Sequence, residues 1–157
     1  MKAQEDAAAP VLYVEDHPVN VLLMEALFAR RSSARLVVAT TGGEALKLSA
    51  SLRPALLLID LRLPDCHGAQ LLQWLRQRPG WAQIPAIAVT AEHGFKIEGT
   101  GFADLWPKPL NLAWVAGRLD QLLPAPARAP SPSPAMPVPQ LERAGRAQPG
   151  QWSAAIL

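Results

Sequence analysis

Cysteine is nearly missing from this 157-residue chain. Cys66 stands alone, which excludes an internal disulfide and a cysteine-based zinc site and suits a reducing compartment. Long apolar runs are missing too: the longest aliphatic one, Ala55-Leu56-Leu57-Leu58-Ile59, is far short of the roughly 20 residues of a membrane helix. The opening MKAQEDAAAP carries acids and no apolar core, unlike a secretory leader. The expectation is a cytoplasmic protein with no membrane partner. A charge excess on the body is absent as well. Before Pro124 there are 12 Lys+Arg against 12 Asp+Glu, so the +2 net charge belongs to residues 124–157. Nucleic-acid binding needs clustered cations on a folded surface, and a balanced body argues against it.

Half of the 16 prolines also fall from Pro124 onward. That stretch, rich in Pro, Ala and Ser, reads as a disordered tail over 124–157, too short for a DNA-binding output domain. Residues 1–9 read as a flexible N-terminus, and 10–123 as one folded domain with a single core.

Within that domain, Val11-Leu12-Tyr13-Val14 reads as a buried strand ending on Glu15-Asp16. Pro18 opens a helix after a His or Asp cap, with Val19, Leu22, Leu23, Ala26 and Leu27 as its apolar positions and Arg30 and Arg31 near its C-terminal end. Leu36-Val37-Val38-Ala39 is a second strand. Thr40 or Thr41 caps a helix from Gly42 to about Ser51. Ala55 to Ile59 is a third strand, apolar on both faces and ending on Asp60. A helix from about Gly68 to Arg78 carries Leu71, Leu72, Trp74 and Leu75. Ala86 to Thr90 is a fourth strand and Leu105-Trp106 a short fifth. Asn111 caps a last helix with Leu112, Val115, Leu119 and Leu122 on one face. Strands apolar on both sides, alternating with amphipathic helices, predict an α/β fold with a parallel sheet covered on both faces.

In such a sheet ligands bind beyond the carboxyl ends of the strands. Glu15, Asp16, Asp60, Thr90 and Lys108 all fall there. Three carboxylates in one crevice repel unless a cation joins them, and Mg²⁺ takes a few carboxylate oxygens while keeping positions for water and phosphoryl oxygens. Lys108 adds positive charge and Thr90 a hydroxyl. The set describes a phosphoryl site, in which a carboxylate attacks phosphorus while cations neutralise the equatorial oxygens. Asp60, ending the central strand, is the candidate nucleophile, leaving Glu15 and Asp16 for the metal.

The stretches VLYVED, LLLIDLRLPDCHG, IAVTA and WPKPL, in this order, resemble the receiver domain of two-component response regulators. EDHPVN and GFADLWPKPL resemble in particular the receivers attached to hybrid sensor histidine kinases. The resemblance implies a flavodoxin-like five-stranded sheet in the order 2-1-3-4-5. It implies phosphorylation of Asp60 by a histidine kinase or histidine phosphotransfer protein, with Thr90 and Lys108 assisting. It also implies Mg²⁺ held by Asp16, Asp60 and the backbone carbonyl of Arg62, with Glu15 acting through water, and a cis peptide between Lys108 and Pro109. The function so implied is that of a stand-alone receiver in a phosphorelay, signalling by contact with a downstream protein and not a metabolic enzyme.

Two features depart from the family pattern. Leu105 stands where the family usually has an aromatic ring, three residues before the lysine, and leucine cannot make that ring's swing. Thr90 and Lys108 are 18 positions apart, about four short of the family spacing and so roughly one helical turn. With Gly94, Gly99 and Gly101 crowding the segment, the fourth helix is expected to be a stub or an irregular loop. These departures motivate a rival reading, a receiver-like interaction module that works without phosphorylation. A haloacid-dehalogenase-type phosphatase on a similar fold needs Asp-x-Asp, which Asp60-Leu61-Arg62 does not supply. His17, His67 and His93 lack metal-ligand spacing, and Cys66 reads as a tolerated small residue. The Arg62 side chain is placed to reach or screen a phosphoryl group, or to stay in solvent. Trp114, off the apolar face of the last helix, is expected to be exposed beside Trp106.

Overall fold

A computed structural model of the chain describes residues 8–123. The expected flexible N-terminus up to residue 7, the tail from Pro124 and Trp152 lie outside the described residues. Five strands and four helices follow one another: β1 (Ala9–Val14), α1 (Pro18–Phe28), β2 (Ala34–Ala39), α2 (Gly42–Leu48), β3 (Leu56–Asp60), α3 (Gly68–Arg76), β4 (Ala86–Thr90), β5 (Asp104–Pro107) and α4 (Leu112–Leu122). All pairings are parallel, in the order β2-β1-β3-β4-β5. This is the flavodoxin-like order, with β3 in the middle and β1 and β4 on either side of it.

Strict alternation along the inner strands splits the core into two layers. Leu12, Val14, Leu57, Ile59, Ala86 and Ala88 face Ala45 of α2, Leu71, Leu72 and Leu75 of α3, and Trp81. Val11, Tyr13, Leu56, Leu58, Ile87 and Val89 face Met24 and Phe28 of α1, Val115 and Leu119 of α4, and Trp106. Burying each of these Leu and Ile side chains contributes roughly 1.5–3 kcal/mol, so β3, buried at all five positions, anchors the sheet on which the site sits.

Caps fix where the helices begin. Thr41 is the cap of α2, its hydroxyl accepting from the Glu44 N–H at 3.0 Å. Asn111 caps α4 by accepting from the Trp114 N–H at 3.0 Å. His67 caps α3, its Nδ1 accepting from the Ala69 N–H at 3.2 Å.

The structure corrects several expectations. β1 and β2 begin two residues earlier than their apolar runs suggest. Pro10 is tolerated because its carbonyl, accepting from the Ala55 N–H at 2.8 Å, carries the bond on that side. The helices α2 and α3 stop at Leu48 and Arg76, short of Ser51 and Arg78.

The stripe expected to be buried on α1 is largely the wrong one: Val19, Leu22 and Leu23 are 55%, 64% and 37% exposed, while Met24 and Phe28 are buried. The helix is apolar nearly all round, so its period does not choose a face. Arg30 and Arg31 lie beyond its last residue. Arg31 crosses instead to Asp120 and to the Ala116 carbonyl on α4. Trp74 points outward at 40% exposure, and Trp81 fills the core in its place.

Of the two forms expected for the fourth connection, the structure has the loop. Residues 91–103 contain no helix. Gly94, Gly99 and Gly101 take φ of 80°, 76° and 92°, a region that side-chain-bearing residues rarely adopt and that interrupts any helix.

Candidate functional site

Each acid at the mouth of the sheet is delivered by the end of a buried strand. Glu15 and Asp16 follow β1, and Asp60 is the last residue of β3. Among the described residues these three form the one acidic group whose ligand atoms could hold a metal ion together, all lying within 4.8 Å of one another. Glu15 and Asp60 are buried and Asp16 is exposed, so the cluster opens to solvent on one side.

Lys108, just past β5, reaches across to both buried acids. Its Nζ lies 2.6 Å from Glu15 Oε2 and 2.9 Å from Asp60 Oδ2. It leaves the sheet through a cis peptide to Pro109, as the resemblance implies. Three formal carboxylates against one ammonium leave two negative charges uncompensated, which a divalent cation would match. The oxygen-only, partly solvated donor set suits hard Mg²⁺.

The remaining partners set the charge states. Asp60 Oδ1 accepts from the Arg62 N–H at 3.1 Å. Burial pushes the Asp60 carboxyl above the ordinary range, with the Lys108 hydrogen bond and the Arg62 N–H pulling the other way. Burial alone would lower the Lys108 amine; its hydrogen bonds to Glu15 and Asp60 win, and its pKa stands above the usual lysine value. A carboxylate with raised basicity beside a fixed ammonium can both attack an electrophile and have its product's charge neutralised.

Thr90 ends β4 and is buried, its hydroxyl accepting from the Glu92 N–H at 2.9 Å. The Arg62 side chain is 80% exposed and pairs with Glu92 at 3.1 Å, on whose other oxygen His67 sits at 3.5 Å. Leu105 packs half-buried on the core layer that also holds Phe95 and Ile97. Trp114 is 44% exposed and meets Trp106 edge to face, centroids 5.7 Å apart. Cys66 is half-buried; burial and the neighbouring Asp65 push its thiol up to about 11.

Three participants escaped the sequence reading. Tyr13 donates its hydroxyl to Glu15 Oε2 at 3.1 Å. The period of two along a strand puts residues 13 and 15 on one face, so the signal was there. Asp65 accepts from the Gly42 and Gly43 N–H groups, both at 2.8 Å, and so ties the loop after Asp60 to the start of α2. Its partner is 23 residues away, and no local pattern announces it. Glu92 is the third, an acid in a loop whose course depends on three glycines.

Known proteins share this fold. Residues 11–113 match the family described as the response regulator receiver domain. The polar-differentiation response regulator DivK of Brucella anthropi is 37% identical over 81 residues, which span 52% of this chain and 65% of that protein. The receiver domain of sensor histidine kinase PA1611 from Pseudomonas aeruginosa, solved with a magnesium ion in its active-site cleft, is 28% identical. It superposes with a TM-score of 0.65 over 74% of this chain and 98% of its own. The receiver domain of Francisella response regulator 1452 is 27% identical, with a TM-score of 0.64 over 73% of this chain and 95% of its own. Acids gathered at the strand ends, a lysine clamped on two of them and a match over most of the described fold place this chain in the response regulator receiver domain family.

Proposed function

We propose that residues 10–123 form a phosphoacceptor domain that takes a phosphoryl group on Asp60 in a Mg²⁺-dependent reaction and passes the signal on by protein contact. The observation that carries this reading is the Lys108 ammonium bridging Glu15 and Asp60 with Asp16 alongside. A lysine held on two acids at the mouth of the sheet supports this reading, because phosphoryl transfer needs fixed positive charge facing the acceptor carboxylate. Asp16, Asp60 and the Arg62 carbonyl would hold the ion, with Glu15 supporting it through water. A bound Mg²⁺ would supply charge neutralisation on the phosphoryl oxygens.

Asp60 attacks phosphorus, and the bond from phosphorus to the donor's histidine nitrogen breaks. The electron pair stays on that imidazole. Lys108 then faces the new acyl phosphate, and Thr90, released from the Glu92 N–H, can offer its hydroxyl to a phosphoryl oxygen. The donor is a histidine kinase or histidine phosphotransfer protein. The uncovered apolar residues Val19, Leu22 and Leu23 of α1, which starts two residues after Asp16, give such a partner a surface next to the mouth. A stand-alone relay in the cytoplasm is the setting this reading assumes.

Incubation with acetyl phosphate and Mg²⁺ should give a hydroxylamine-labile adduct on the wild type and none on Asp60→Asn; equal labelling of the variant would sink the proposal. A second reading, a module that works without phosphorylation, is favoured by Leu105 and by the loop 91–103 in place of a helix. Beryllofluoride with Mg²⁺ separates the two. Amide shifts extending to 105–122 support the switch, and shifts confined to the loops around Asp60 support the module.

A further inference from the structure

Glu15 is wholly buried, and its carboxylate is held from three directions. Oε1 accepts from the His17 N–H at 3.1 Å. Oε2 accepts from Lys108 Nζ at 2.6 Å and from the Tyr13 hydroxyl at 3.1 Å. These partners differ in permanence. The Lys108 ammonium is shared with Asp60 at 2.9 Å, and under the proposed function it must also serve an incoming phosphoryl group. One donor therefore has three claims on it, and when it turns to the phosphoryl group Glu15 loses its shortest contact. A buried carboxylate that loses a donor is left free to reorient unless its other partners hold it.

Tyr13 cannot leave in that way. Its ring is fully buried in the layer with Met24, Phe28, Val89 and Trp106, and close packing holds it there. A phenylalanine would fill the same space without a polar atom to satisfy, so packing alone gives no reason for the hydroxyl. That hydroxyl donates to Glu15 from within the core, whereas Asp16 is exposed.

We propose that Tyr13 is a positioning residue for the divalent-cation site, its buried hydroxyl fixing the Glu15 carboxylate beside the ion whichever of its partners the shared Lys108 ammonium is serving. The inference rests on the proposed function, since it presumes that the acidic cluster binds Mg²⁺.

Tyr13→Phe preserves volume and is expected to fold. Its Kd for Mg²⁺, measured by calorimetry on the full chain, should rise about tenfold, the lower end of the loss typical when a ligand's outer partner is removed. The rate of labelling by acetyl phosphate at saturating Mg²⁺ should stay within about twofold, because no reacting atom has been touched. A purely structural role would lower the melting temperature and leave the Kd alone.

The chain has a single tyrosine, so a ¹³Cζ-tyrosine label gives one resonance. That resonance should move as Mg²⁺ is added to the wild type, with the midpoint of the calorimetric titration. An unchanged Kd in Tyr13→Phe, or a tyrosine resonance that stays still while the wild type binds Mg²⁺, overturns the positioning role alone. A wild type that binds no Mg²⁺ overturns both the role and the function on which it rests.

Discussion

Removing or adding Mg²⁺ should change the stability of this domain far more than a change of salt does. Glu15, Asp16 and Asp60 place three formal negative charges within 4.8 Å of one another, and among the described residues Lys108 alone forms ion pairs with them. A divalent ion that binds the folded cluster and not the unfolded chain stabilises by RT ln(1 + [Mg²⁺]/Kd), about 2.7 kcal/mol at a hundredfold excess over Kd. For a domain of this size each kcal/mol moves the melting temperature by roughly 4 °C, so the rise should be roughly 10 °C. Sodium chloride at matched ionic strength screens without bridging and should give little of it.

Asp60→Asn sharpens the test. The folded-state pKa of Asp60 is raised, chiefly by burial. Its contribution to stability is thus fully present below the unfolded carboxyl pKa and lost as pH rises through the folded value. Above the unfolded carboxyl pKa the buried Asp60 therefore costs stability, and the variant should melt higher than the wild type in EDTA at neutral pH, by a margin that shrinks as pH falls toward the unfolded carboxyl value. The same variant should lose most of the Mg²⁺ increment. Differential scanning fluorimetry across both series decides the matter. A wild type whose melting temperature is indifferent to Mg²⁺, or an Asp60→Asn variant with an undiminished increment, would refute the charge argument.

Two further expectations concern the loop after Asp60. At Gly68 a Cβ would sit 2.3 Å from the Asp60 carbonyl oxygen and 2.9 Å from Leu61 Cα; both are backbone and cannot swing aside, so Gly68→Ala should cost about 3 kcal/mol in urea unfolding with an unchanged m-value. Asp65→Ala removes the acceptor of the Gly42 and Gly43 N–H groups and should cost about 1 kcal/mol, as lost helix caps do. Those N–H groups hold the Asp65 pKa below the ordinary carboxylate value. The contribution of Asp65 is therefore present above the unfolded pKa and lost as pH falls through the folded one, and the stability gap between wild type and variant should close in strong acid.

Much of this molecule was legible because two periods dominate it. The runs at 11–14, 56–59 and 86–90 are too apolar to be anything but inner strands, and their last residues had to carry the site because parallel strands all end on one side. Helix faces were legible only where the polar residues are ordered. On α3, Leu71, Leu72 and Leu75 are buried as expected, whereas α1 is apolar on both sides and the wrong residues looked internal. What binds the loops escaped altogether. Asp65 meets α2, and Arg76 reaches the carbonyls of Trp81, Ile84 and Gly101. Such contacts join a side chain to backbone groups outside its own helix or strand, and they leave no periodic trace.

The departures from the family pattern bear on one route through the protein. Leu105 has no ring to swing, and the loop 91–103 has no helix to shift, so movement of the Thr90 hydroxyl meets no large mobile element on that side. Lys108 is differently placed. Its neighbours Pro107 and Pro109, with Asn111 and the half-exposed Trp114, line a cavity of about 240 Å³ at the surface. Trp114 rests edge-on against the wholly buried Trp106 of β5. Trp106 Nε1 in turn donates to Asp104 at 3.1 Å, and Asp104 holds Arg118 of α4 at 2.8 Å. Any displacement of the Lys108 ammonium from Glu15 therefore acts on a segment with aromatic contacts to α4, whereas a displacement of the Thr90 hydroxyl acts first on the Glu92 N–H of the glycine-rich loop. The rival readings of this domain thus differ over whether the end of β5 moves with Lys108, and the amide shifts of 105–122 measure that movement directly.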